Sequence, residues 1–243
     1  MGAAAPLSRS LETAPHVHGS SGLEGANLPV PAVRPNPLDA VEFIAQAVRS
    51  SADPVTLVPT GPLTNIALFR RRHPDLYERV EQVILMGGSL GEGNVTSFAE
   101  FNVWVDPEAA AEVMGGERPV TMMGLDVTHQ ALMTLDDTDR LESLGTRTGS
   151  VFADLLRFFA RFHRDRYGWD GAPIHDAVAV AYAAVPELVR TQRRAVSVST
   201  VGETRGQTTG LPAVAAVTGI DVGLAIDRQR FVDMLIDAVA IFP

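Results

Sequence analysis

The stretch VILMGGSLGEGNVTSFAEFNVWVD (83–106) decides how this chain is read. Val83, Ile84, Leu85 and Met86 form an unbroken apolar run that stops at the pair Gly87-Gly88. A short apolar run bounded by glycine predicts a strand buried on both faces of a parallel sheet. Glu92, Asn94, Glu100 and Asn102 gather just beyond it, where open α/β sheets bind ligands. Two carboxylates and two amides without Lys or Arg fit a neutral, polyhydroxylated molecule and exclude a phosphate.

Working outward, strand and helix signals alternate. Val55–Val58 reads as a strand, Leu63–Arg72 as a helix and Val120–Met123 as a further strand. Asp106-Pro107-Glu108 joins an N-cap, a proline at the first helical position and an acid in the first turn, and the helix it starts ends near Gly115-Gly116. A long helix is expected over 150–163, another over 176–184 and a C-terminal one capped by Asp227. Val196, Val198 and Thr200 alternate as in a half-buried strand, with 213–217 as its expected neighbour. Upstream, Ala3–Leu7 reads as the tail of a strand, and residues 16–37 as loop and proline-rich connection. Asn36 with Pro37 predicts the start of a helix carrying Val41, Ile44, Ala45 and Val48. The alternation implies an α/β fold over 1–243 as one domain, an open, mostly parallel, doubly wound sheet.

Composition narrows the function classes. Among 243 residues, 46% are hydrophobic and 20% charged, which suits one globular α/β domain. A formal charge of −9 argues against nucleic acid or an anionic membrane as partner. The absence of cysteine removes disulfides and thiolate chemistry. No run reaches transmembrane length, and MGAAAPLSRS lacks the basic and apolar regions of a signal peptide, so a cytoplasmic protein is expected.

Three further stretches carry candidate chemistry. In VPTGPLTN (58–65), a turn between strand and helix leaves the Thr60 carbonyl available to a hard cation or a hydroxyl, although for this stretch alone an ordinary turn capped by Thr64 or Asn65 is the better reading. In PIHD (173–176), Asp176 at a helix start is by itself only a cap, but with His175 beside it the pair can supply a proton donor and a metal ligand together. GGSLG (87–91) matches the nucleophile-elbow pattern at Ser89, yet the helix an elbow requires is replaced by a loop sequence. Asp126 reads as a turn-stabilising residue, Met122, Met123 and Trp104 as core, and His16, His73 and His163 as surface.

Together LVPTGPLTNIAL (57–68), the opening stretch through Ala110, VTMMGLDVTHQ (120–130) and PIHDAVAVAY (173–182) resemble the inosine-uridine-preferring nucleoside hydrolases, in the family's order. HGSSGLEG (18–25) and TRGQTT (204–209) extend the likeness over nearly the whole chain. The resemblance implies hydrolysis of the N-glycosidic bond of a small-molecule ribonucleoside at a bound calcium ion. It makes the Thr60 carbonyl and Asp176 calcium ligands. Asn94, Glu100 and Asn102 would bind the ribose hydroxyls, and Met86 would line the sugar pocket. His175 would protonate the leaving base, and His18 would belong to a loop over the site. A homo-oligomer is common among such proteins.

One departure qualifies this. The aspartate-rich D-x-D-x-x-x-D-D motif, which gives the family most of its calcium ligands and its catalytic base, is absent. The only Asp pair, Asp136-Asp137, follows MTL and lies between helices. The expectation is therefore a truncated member whose sheet is incomplete at its N-terminal side and whose catalysis is impaired. A non-catalytic ribose- or nucleoside-binding protein is the alternative, and a serine hydrolase using Ser89 is the third reading.

Overall fold

The run at 83–86 lies in a strand, Val80–Met86, whose last four side chains are all buried. In this computed structural model the described residues are 1–19, 21–212 and 219–243, without the side chain of His18. Their strands, in chain order, are β1 (Val55–Leu57), β2 (Val80–Met86), β3 (Val120–Met123), β4 (Leu132–Thr134), β5 (Gly171–Pro173), β6 (Val189–Val198), β7 (Thr208–Pro212) and β8 (Ile220–Ile226). Six of them form one sheet in the order β1-β2-β3-β8-β6-β7. The pairs β1–β2, β2–β3 and β3–β8 are parallel, and β6 is antiparallel to both β8 and β7.

The double burial of β2 explains its unbroken apolar run. Val83 and Leu85 pack with Val41, Phe69 and Val113 of the helices on one face. Ile84 and Met86 pack with Val178 and Phe231 of helices on the other. Alternate side chains thus enter two separate cores, and neither face reaches water. The expected α/β sheet with helices on both faces is what the chain forms. Among the described residues no helix is long and apolar enough to cross a membrane.

Several boundaries differ from expectation, each for a physical reason. Ala3–Leu7 forms no strand; the Ala3 and Leu7 amides donate instead to Asn65 Oδ1 and Asp106 Oδ2, both at 2.9 Å. The helix assigned to Pro37 begins at Ala40, because Asp39 accepts from the Glu42 amide while Asn36 turns back to the Leu38 amide. A five-residue helix, Phe101–Val105, occupies part of the expected loop, with Glu100 as its N-cap. The long helix runs from Arg147 to Tyr167 and closes on Gly168 in the left-handed conformation. β6 starts at Val189, and β8 was not anticipated; the strand expected at 213–217 lies outside the described residues. Asp136 and Asp137 fall in the first turn of the helix Leu135–Glu142, where Asp137 completes a capping box with Thr134 and pairs with Arg228.

Candidate active site

The ends of β1 and β2 and the turn after them build one wall of a cavity. Met86 closes β2, and Gly88 follows with φ +77°, a conformation that suits glycine. A Cβ there would also lie 2.8 Å from Met122 Sδ. The turn aims the Gly88 amide at Glu100, whose carboxylate accepts it at 2.9 Å and the Val103 amide at 3.2 Å. Glu100 is 2% exposed. Burial pushes its pKa up to about 7 against the pull of these amides, and the Asp176 charge adds to the rise. Asn94 is fixed by accepting the Phe101 amide at 3.0 Å. Asn102 Nδ2 donates to the Met86 carbonyl at 3.1 Å and the Thr60 carbonyl at 3.4 Å, which leaves its Oδ1 acceptor to a ligand.

The opposite wall comes from β5 and the helix it leads into, His175–Ala184. The N-cap of that helix is Ile174, so Asp176, its second residue, is not the capping residue. Its side chain opens to the cavity, yet the surrounding protein desolvates the carboxyl and raises its pKa. His175 Nδ1 lies 2.7 Å from Thr128 Oγ1. Beyond His175 stands a series of rings: His129 at 5.6 Å, Trp169 edge-on to His129 at 4.9 Å, and Tyr167 stacked on Trp169 at 4.7 Å. Desolvation lowers the pKa of His129 and favours its neutral form. His163 is 4% exposed and stacked on Trp169, not on the surface as expected. The helix continues past it, so Phe159, Phe162, His163 and Tyr167 share one inward face.

These walls enclose a cavity of about 590 Å³ that unites Thr60, Met86, Asn94, Glu100, Asn102, His175 and Asp176. All the site residues named from sequence except His18 therefore line one space. The His18 backbone ends the short helix Pro15–His18, and its neighbours His16 and Val17 line the cavity, but its side chain is outside the description. Sequence reading missed His16, Phe159, His163 and Arg166. The spacing of Phe159, His163 and Arg166 along one helix was the available signal, hidden by ending that helix too early.

Other candidates take structural places. Ser89 is 2% exposed, and its hydroxyl accepts the Gly91 amide at 3.1 Å. No helix follows it, so the elbow reading fails. Asp126 accepts the Leu90 amide at 2.8 Å, the turn-holding role expected of it. Trp104 is half-buried under the Arg205 guanidinium, 4.1 Å from its ring centre, and is not a core residue.

The donor set does not fit a hard divalent cation. Calcium takes roughly six to eight oxygens. Asp176 and Glu100 are the carboxylates lining the cavity, and Glu100 is engaged by backbone amides. Thr60 offers a carbonyl that Asn102 already touches. Among the described residues no group of three or more His, Cys, Asp or Glu side chains is placed to hold a metal.

Comparison with known proteins agrees with this geometry. A family profile described as inosine-uridine preferring nucleoside hydrolase matches residues 1–233. A pyrimidine-specific ribonucleoside hydrolase RihA of Shewanella sp. (strain ANA-3) is 45% identical over 99% of this chain and 77% of its own length. The purine-preferring ribonucleoside hydrolase from Gardnerella vaginalis superposes with a TM-score of 0.91 at 32% identity, over 98% of this chain and 78% of that one. The plant nucleoside hydrolase PpNRh1 gives a TM-score of 0.90 at 28% identity, over 98% of this chain and 79% of that one. With the profile spanning nearly all of the sequence and the folds superposing throughout, the chain belongs to the inosine-uridine preferring nucleoside hydrolase family.

Proposed function

We propose that the cavity binds a ribonucleoside and that its chemistry is hydrolysis of the N-glycosidic bond, giving ribose and a free base. The observation that carries this reading is the division of one cavity into two ends. Asn94, Glu100 and Asn102 supply acceptors and donors suited to ribose hydroxyls, and the rings of His129 and Tyr167, against which Trp169 packs, supply faces for a planar base. A volume of about 590 Å³ suits a molecule of that size.

In the reaction the C1′–N bond breaks as positive charge develops on the sugar, a water oxygen adds to C1′ and sheds one proton to solvent, and the base leaves with the bonding electron pair and takes up a proton. Asn94 and Asn102 hold the sugar by its hydroxyls. Glu100 accepts from a hydroxyl and, when ionised, favours the cationic transition state. His175, which lines the cavity with its ring 5.6 Å from that of His129, donates a hydrogen bond from its ring N–H to the leaving base.

Calcium is the cofactor the family resemblance implies, with the Thr60 carbonyl and Asp176 as its ligands here. Such an ion supplies charge that holds hydroxyls and acidifies water. Two such ligands fall well short of a calcium shell, so catalysis by this chain is impaired while the sugar and base contacts remain. The closing experiment measures inosine and uridine binding by calorimetry, and their hydrolysis by reducing-sugar release with calcium present. Binding with slow or absent turnover is expected. Failure to bind either nucleoside would overturn the site, and rapid turnover would overturn the impairment.

A further inference from the structure

Thr128 is fully buried at 0% exposure, at the end of the short helix Leu125–Thr128. Its hydroxyl needs an acceptor, because a buried donor left unpaired loses its hydration with nothing in exchange. The helical alternative, the Gly124 carbonyl, already receives the Thr128 and Val127 amides at 3.0 and 3.2 Å, and the hydroxyl does not join them. Among the described residues the hydroxyl has one partner, His175 Nδ1 at 2.7 Å. That distance is well within hydrogen-bond range, so the hydroxyl's need for an acceptor is met by Nδ1.

Backbone pairing fixes the two residues relative to each other. The Ile174 amide donates to the Ala131 carbonyl at 3.0 Å, and Leu132 pairs with Pro173 in the β4–β5 ladder. The segment after Thr128 is thereby zipped to the segment before His175, so the hydroxyl meets the ring through a scaffold and not through chance rotamers.

We propose that Thr128 is a positioning residue: its hydroxyl donates to His175 Nδ1, which fixes the neutral imidazole with its proton on Nε2. The inference rests on the reading of His175 as the group that meets the leaving base, and deepens it: the neutral ring assists departure by hydrogen bonding from Nε2. A hydroxyl that donates a hydrogen bond to Nδ1 keeps that nitrogen an acceptor, and the second ring nitrogen carries the hydrogen that the neutral ring offers, as a hydrogen bond, to the leaving base. Because the ring also lines the cavity, that hydrogen is held where a planar ligand contacts the aromatic wall.

Nitrogen-15 NMR of the intact chain tests this at alkaline pH, where the imidazole is neutral. The two-bond proton–nitrogen pattern identifies which ring nitrogen of His175 is protonated. The expected pattern has the proton on Nε2 and an Nδ1 resonance shifted as for a hydrogen-bond acceptor. Thr128→Ser should keep that resonance, and Thr128→Val should move it toward the position of a free acceptor. A proton on Nδ1 in the unaltered chain, or an Nδ1 resonance indifferent to Thr128→Val, would overturn the inference. Adding uridine or inosine should then shift the Nε2 resonance. If calorimetry shows nucleoside bound and Nε2 does not respond, His175 does not face the base, and the assignment of its hydrogen bond to the leaving base falls. Absent nucleoside binding instead removes the proposed function and leaves the tautomer result standing on its own spectra.

Discussion

Glu100 shows how one residue can be legible in type and hidden in behaviour. Its place beside Asn94 and Asn102 was readable because all three lie within one nine-residue stretch, 94–102, that follows a strand end. Its burial was not, since a glutamate in a loop sequence reads as solvated. Burial raises its carboxyl to about 7 from 4.5, so between those values the folded chain holds the proton more tightly than the unfolded one. The resulting stabilisation is complete below pH 4.5 and is lost as pH rises to about 7. Relative to Glu100→Gln, the unaltered chain should therefore lose about 3 kcal/mol across that window, read from thermal melts at its two ends. Parallel curves for the two proteins would contradict the burial argument. Asn102→Ala tests a half-buried neighbour: removing the amide held by the Met86 and Thr60 carbonyls should weaken nucleoside binding about tenfold by calorimetry. An unchanged affinity would remove Asn102 from the sugar site. Thr128 was illegible for a different reason, because its partner His175 comes from a segment distant in sequence.

At the scale of elements, signals local to the chain were read correctly and signals set by packing were not. Asp106-Pro107-Glu108 announces the helix Pro107–Met114, and Asp106 caps it by accepting the Ala109 amide at 3.1 Å. The helix Phe101–Val105 has no such announcement; five residues rich in β-branched and aromatic types become helical only because Glu100 is locked at their start. β8 was overlooked because Gly223 interrupts its apolar pattern. Gly223 is needed there, since a Cβ would stand 2.8 Å from Met123 Sδ and 2.9 Å from Val127 Cγ1. Asp106 also ties three elements together. Besides its cap it accepts the Thr64 hydroxyl at 2.6 Å and the Leu7 amide at 2.9 Å, and it is 0% exposed. Asp106→Ala should cost about 3 kcal/mol in urea unfolding, a lost cap plus buried donors left without an acceptor. Asp136→Ala, an exposed first-turn acid, should cost less than about 0.5 kcal/mol. Equal losses would show that Asp106 is only a cap.

For the whole molecule, the parallel order β1-β2-β3 was implied by the alternation of strands and helices, and the antiparallel arm of β6 and β7 was not. Antiparallel pairing leaves no crossover helix in the sequence to announce it. The cavity sits where the parallel strands end, so occupying it should stabilise the entire cooperative unit. A ligand that binds only the folded state, at a hundredfold its dissociation constant, adds about 2.7 kcal/mol. For a chain of 243 residues that corresponds to a rise in Tm of roughly 5–10 °C. Inosine or uridine, whichever binds, should produce it. Calcium alone should not. The carboxylate of Asp176 and the Thr60 carbonyl leave most of a calcium shell to water, and an ion so weakly held gains little from the fold. Thermal melts with calcium, with nucleoside and with both therefore separate the two contributions. Nucleoside should give the full shift, and calcium should change neither that shift nor the unliganded Tm by more than about 1 °C. A calcium shift as large as the nucleoside shift would mean that the chain assembles a metal site from oxygens other than these, and the account of impaired catalysis would fall with it.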